Sequence, residues 1–261
     1  MSVTALFDRM FLLPFATGLV VAILLPLLGA FIRLREEWLG AMGLAQISAA
    51  GVVVGAVFFE PTVLVALGAA ALAAAVKTFF GRSGNDSFAV MILVGWSLAL
   101  IGASFSAHGD ELSHALTQGQ IYFSGVSHFA GVLLLGISAL ALLPWLSPRL
   151  LLSQFFPDHF RANGIQNPHH ALVFDVFAAV TLAVGTITIG VMAAFALVFV
   201  PPWIAFRLSH GWKRTLLWSS GIGLAAYLIA FAAALPLDQP FGPVLVVVLL
   251  LMTPLRLLSR H

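Results

Sequence analysis

Apolar residues run along this chain in long blocks, and polar residues fall in short segments between them. The blocks cover roughly residues 11–32, 38–58, 61–80, 87–106, 127–146, 171–188, 190–206, 214–235 and 242–257. Each approaches the ~20 apolar residues that a helix needs to cross a bilayer. None shows the strict alternation of a half-buried strand, so each predicts a helix. The sixth and seventh blocks share VGTITIGV, with Gly185 and Gly190 and no charged turn between them. The pattern therefore fits nine crossings, or eight with one helix broken. The expected fold is all-α, a polytopic integral membrane protein of about eight or nine transmembrane helices. Residues 1–261 are expected to form a single transmembrane domain.

Composition supports this reading. The 261 residues are 61% hydrophobic and 8% charged, where a soluble domain is about a quarter charged. There is no cysteine, which excludes disulfides, thiolate metal sites and cysteine nucleophiles. The net charge of +2 is spread between helices and gives no basis for nucleic-acid binding. At the N-terminus, Asp8 and Arg9 cancel before an apolar run longer than a signal-peptide core, and no small-residue cleavage site follows. That segment is expected to be a retained first helix.

Basic residues predict orientation. Of the 12 Lys and Arg, all but Arg9 fall in alternate connections or the C-terminal tail. The opposite connections, around Glu60, Asp110–Glu111 and Asp238, carry none. The positive-inside rule then places the N-terminus outside and the C-terminus in the cytoplasm.

The same rule places the polar stretch QFFPDHFRANGIQNPHH, residues 154–170, in the cytoplasm. Pro157 suits the first turn of a helix, Asp158 is favourable there, and Gly164 suits its end. The stretch reads as a short helix on the membrane face, or as a solvated connector. Within the apolar blocks, Gly51 and Gly55 form a small-xxx-small pair for close helix packing. Gln46 points away from that face, with Met42 one turn before it. Gln46 is either a polar position on a substrate path or an amide bonded to a neighbouring helix. Asp175 lies about one turn into the sixth block, where an acid implies a partner or a function. Arg207 and Arg149 are the candidate partners. The outer segment around His108, Asp110, Glu111 and His114 holds imidazoles and carboxylates that suit Zn²⁺ or Mn²⁺. Its spacing is irregular and matches no HExxH pattern. No P-loop, GxSxG or dinucleotide fingerprint is present, so any ATP is expected to be bound by another chain.

Four segments resemble the permease subunit of ABC importers for transition metals, the zinc/manganese/iron type. They are IRLREEWLGAMGLAQISAAGVVVG, ALTQGQIYFSGVSH, FPDHFRANGIQ and TITIGVMAAFALVFVPPWIAFR. The last is the most specific, matching at Gly190, Pro201, Ala205 and Arg207. The resemblance implies a homodimer in a bacterial inner membrane, with ATPase subunits beneath it and a periplasmic or extracellular substrate-binding protein above. It implies a transported divalent metal, zinc or manganese first, and no cofactor held by this chain. It also implies that residues at about 154–167 form a coupling helix. Phe155, Phe156, Asp158, Phe160, Arg161 and Gly164 would then meet the ATPase. The chain departs from the family on the implied path. An acid and a histidine four residues later are replaced by Met42 and Gln46, and another acid by Gln120. Pro202 and Trp203 are bulkier than the family's alanines. These neutral replacements leave a metal chelate or a non-metal cargo open. Two readings from other classes stand beside it. One is a proton-coupled secondary transporter that titrates Asp175. The other is a membrane assembly factor with no flux.

Overall fold

A computed structural model describes residues 9–59, 62–79, 85–105, 121–156 and 169–257, with Glu111, Leu116, Gly119 and Asp158 between them. Among these residues the chain is helical and contains no strand. The helices are α1 (Arg9–Leu34), α2 (Trp38–Phe58), α3 (Thr62–Phe79), α4 (Asn85–Ser104) and α5 (Val126–Phe155). They continue with α6 (His169–Ile189), α7 (Val191–Leu208), α8 (Trp212–Leu237) and α9 (Phe241–Leu251). Short 3₁₀ turns, Ile121–Phe123 and Thr253–Leu257, precede α5 and follow α9. Seven of the helices are long and apolar enough to cross a membrane, and α3 and α9 fall in shorter apolar segments.

One residue separates α6 from α7. Gly190 has φ +89°, which an L side chain rarely adopts. The far ends of this pair come back together. Phe174, early in α6, packs on Phe31 of α1 with ring centroids 5.7 Å apart. Trp212, just past α7, packs on the same Phe31 at 4.8 Å. The chain therefore folds back at Gly190, so this segment forms two helices rather than one broken one.

Helix α5 is longer than its apolar block predicts. Its 30 residues span about 45 Å, well beyond the ~30 Å hydrocarbon layer. Pro144 and Pro148 lie inside it, and the helix-favouring run LLLSQF carries it to Phe155. Gln154 and Phe155 thus complete α5 instead of opening a separate helix, as the sequence reading had them.

Around α1 pack α5, α7 and α8, while α2 packs on α3, α4, α6 and α7. Helix α6 touches both groups. Prolines and glycines set the closest contacts. Pro26 has no N–H, so the Ala22 carbonyl one turn earlier loses its usual donor. Gly223 of α8 comes up to that carbonyl; a Cβ there would sit 2.6 Å from its oxygen. Ser220 donates to the next carbonyl, Ile23, at 3.3 Å. The device recurs at Pro202, which frees the Val198 carbonyl, and Gly29 of α1 lies directly against it. Each freed carbonyl is shielded from lipid by a neighbouring helix, which offsets an otherwise large cost.

This packing makes a specific prediction. Gly29→Ala drives a methyl into backbone and destabilises the protein by about 1–3 kcal/mol, read as a lower melting temperature in detergent. Gly131→Ala and Gly221→Ala, where nothing lies within 4 Å, leave it unchanged or slightly raised.

Candidate functional site

The turn between α1 and α2 begins the site. Glu37 N–H bonds the Ile32 carbonyl at 3.1 Å, and Glu36 N–H bonds Arg33 at 3.0 Å. Glu36 holds the left-handed position of this helix stop, with φ +60°, where glycine is usual. This tight turn places Arg35 and Glu37 beside the ends of two other helices.

There they meet Lys77, at the end of α3, and Asp175, in the second turn of α6. Arg35 Nη1 donates to Asp175 Oδ1 at 2.7 Å, and Nη2 to Oδ2 at 3.3 Å. Nη2 also reaches Glu37 Oε1 at 3.2 Å. Lys77 Nζ donates to Glu37 Oε2 at 2.7 Å and to Asp175 Oδ1 at 3.2 Å. Two cations and two anions give no net charge. The side chains are 15% (Arg35), 20% (Glu37), 8% (Lys77) and 4% (Asp175) exposed. Aromatic faces complete the enclosure. Arg35 lies over Phe174 at 5.4 Å and Lys77 over Phe88 at 5.6 Å. Burial disfavours the Arg35 cation, but the Asp175 and Glu37 carboxylates more than offset this and raise its pKa.

Among the described residues, the cluster supplies partners for Asp175. Arg35 and Lys77 hold it, not Arg207 or Arg149 as the sequence suggested. Arg207 is exposed, and Arg149 turns back to the Trp145 carbonyl and lies over the Trp145 ring. The missed signal was long-range: Arg35 is 140 residues from Asp175 in the chain.

On α2, Gln46 is buried beside α4. Gly95 packs so closely there that a Cβ would lie 2.5 Å from the Gln46 carbonyl carbon. Met42 is partly buried against a small apolar cluster that includes Ala45, Ala49, Ala103 and Val191. Gly51, on another face, packs on Ala66 of α3, so the two faces expected of α2 are present. A groove of about 470 Å³ opens between α2, α3 and α4, lined by Ile47, Ala73, Val76, Lys77 and Met91 among others.

Phe155 and Phe156 are exposed at the end of α5, and Asp158 is exposed just beyond them. Phe160, Arg161 and Gly164 lie outside the described residues, as do Gln120, His108, Asp110 and His114. Glu111 is exposed. Among the described residues no group of three or more His, Asp or Glu is placed to hold a metal.

The buried cluster predicts an unequal mutational response. Asp175→Asn leaves two cations short of one anion and destabilises by about 3–5 kcal/mol. Glu37→Gln costs less, because that carboxylate is more exposed. Thermal melting in detergent checks this; an Asp175→Asn loss no greater than that of Arg207→Gln contradicts it.

Residues 8–259 match the ABC 3 transport family. No curated protein matches. The fold is similar to a solved structure described as PsaBC from Streptococcus pneumoniae in complex with Fab. The TM-score is 0.84 at 17% identity, over 98% of this chain and 93% of that one. It is also similar to a structure described as an inward-facing conformation of a putative metal-chelate type ABC transporter. There the TM-score is 0.74 at 15% identity, over 96% and 86% of the two chains. With the match running nearly end to end, the chain belongs to the ABC 3 transport family and is a multi-pass membrane permease of ABC transporters.

Proposed function

We propose that this chain forms the translocation path of an ATP-driven importer for a divalent transition metal, zinc or manganese first. Two copies form the path in a bacterial inner membrane, with N-termini outside and C-termini in the cytoplasm. ATPase chains dock on the cytoplasmic side, and a substrate-binding protein delivers cargo from the other. The single domain of residues 1–261 meets the ATPase through the segment at about 154–167.

The observation that carries this reading is the position of Asp175. It lies in the second turn after that segment and is bonded to the turn that leads into α2. A push on the segment is thereby passed to α2, which holds Met42 and Gln46. The exposed Phe155 and Phe156 suit an apolar anchor on a partner, and Asp158 suits a charge that sets register. Buried ionic contacts of this kind have few alternative partners, so they move as a unit.

A second reading concerns the cargo. Met42 offers a soft thioether and Gln46 a neutral amide, which are weak ligands for a hard or borderline divalent ion. A metal travelling as a chelate would keep its own ligands and ask less of these side chains. The proton-coupled reading is less well supported, since both oxygens of Asp175 are bonded to cations.

Reconstitution in liposomes with the ATPase and binding protein tests the proposal. The expected result is accumulation of Zn²⁺ or Mn²⁺ that requires ATP and is lost with Asp158→Ala/Phe160→Ala. ATP hydrolysis without accumulation of either ion rules out the free-metal cargo. Uptake without ATP that disappears in Asp175→Asn establishes the secondary transporter instead.

A further inference from the structure

Helix α7 carries a row of rings on one side: Phe195, Phe199 and Trp203, with successive centroids 5.8 Å and 6.2 Å apart. Its last turns hold two arginines from elsewhere in the chain. Arg256, in the 3₁₀ turn after α9, lies over Trp203 at 3.9 Å. Arg33, at the end of α1, lies over Phe206 at 5.7 Å. Trp203 and Phe206 are three residues apart, so they are neighbours on one helix face. They hold the two guanidinium groups at neighbouring positions on that face.

Like charges held together in this way call for an anion. Glu36 offsets part of the charge at Arg33. Among the described residues, neither arginine side chain forms a hydrogen bond or ion pair. Their planar donor forks are free to take two oxygens each. Beside Arg33 is a groove of about 590 Å³, lined by Arg33, Glu36, Trp38, Gln154, Phe155 and Phe206 among others.

The surroundings indicate which anion. Val247, Leu250, Leu251 and Leu257 are exposed on α9 and the turn after it, on either side of Arg256 in sequence. An exposed apolar surface therefore leads to the cationic pair, as acyl chains lead to a headgroup. Trp38 and Trp203 beside it are the residue type that settles at the membrane–water boundary. A protein partner would bring carboxylates without matching this apolar approach.

We propose that Arg33 and Arg256 form a binding site for the phosphodiester headgroup of an anionic phospholipid. The two guanidinium groups clamp the phosphate oxygens, and the acyl chains lie along α9. The site ties the ends of α1, α7 and α9 to the bilayer surface. Each basic residue near such a surface strengthens anionic-lipid binding about fivefold.

Binding of fluorescent phosphatidylglycerol and phosphatidylcholine to the full-length protein in neutral detergent tests the site. The wild-type protein is expected to prefer phosphatidylglycerol. The pair Arg33→Gln/Arg256→Gln is expected to weaken that lipid about 25-fold and leave phosphatidylcholine unchanged. Arg33→Lys/Arg256→Lys, which keeps charge and favours folding, is expected to fall between them. Lys213→Gln/Arg214→Gln, a basic pair in another connection, is expected to change binding little. Equal loss in that control overturns the site in favour of a diffuse basic face. Unchanged phosphatidylglycerol binding in the double glutamine variant overturns it outright. Displacement of the lipid by equimolar glycerol phosphate assigns the groups to free phosphate and overturns the lipid assignment. Loss of a copurifying acidic protein, with lipid binding intact, assigns the face to that protein and overturns it equally.

Discussion

Four charged side chains close one end of this helix bundle, and the arrangement of the surrounding helices depends on them. Arg35 and Glu37 come from the α1–α2 turn, Lys77 from α3 and Asp175 from α6. A single buried charge in such a place costs several kcal/mol. Among the described residues the cluster sets two cations against two anions, and each carboxylate in it has more than one donor. Its cost remains substantial, so its value lies in specifying which helix ends meet. Exchange of any one partner leaves an uncompensated charge, which restricts the ways these ends can separate.

The apolar interior is specified by a different means. Hydrophobic burial discriminates weakly between helices when lipid is as apolar as leucine. Close approach does discriminate. Pro26 and Pro202 free carbonyls inside α1 and α7, and only glycines at 223 and 29 let the facing helix cover them. Gly95 lets α4 approach the α2 backbone comparably closely. The charged cluster and these glycine contacts together hold α1 at the centre and α2 against α4, with α6 linking both groups.

The nine helices among the described residues were legible because their hydropathy is local, and all but α5 and α9 keep within a few residues of their blocks. The hairpin at α6–α7 was ambiguous because no charge marks its turn; Gly190 makes the reversal through backbone conformation alone. The length of α5 was underread because its apolar block ends near residue 146, whereas the helix continues through Pro148 to Phe155. At the site, the sequence placed Asp175 as an acid needing a partner and named the wrong arginines. Pairing across 140 residues leaves no periodic trace. Gln46 was placed correctly on the face away from Gly51, because helical spacing determines that without tertiary information.

The central claim is that this permease takes its energy from an ATPase that grips the segment after α5. The most direct test is to purify the tagged chain from native membranes in mild detergent and identify what accompanies it. The same purification is made with Asp158, Phe160 and Arg161 replaced by alanine. The account predicts an ATPase chain with the unaltered protein and its loss from the altered one. An ATPase retained equally by both would contradict the docking segment, and none in either would contradict ATP-driven transport by this chain.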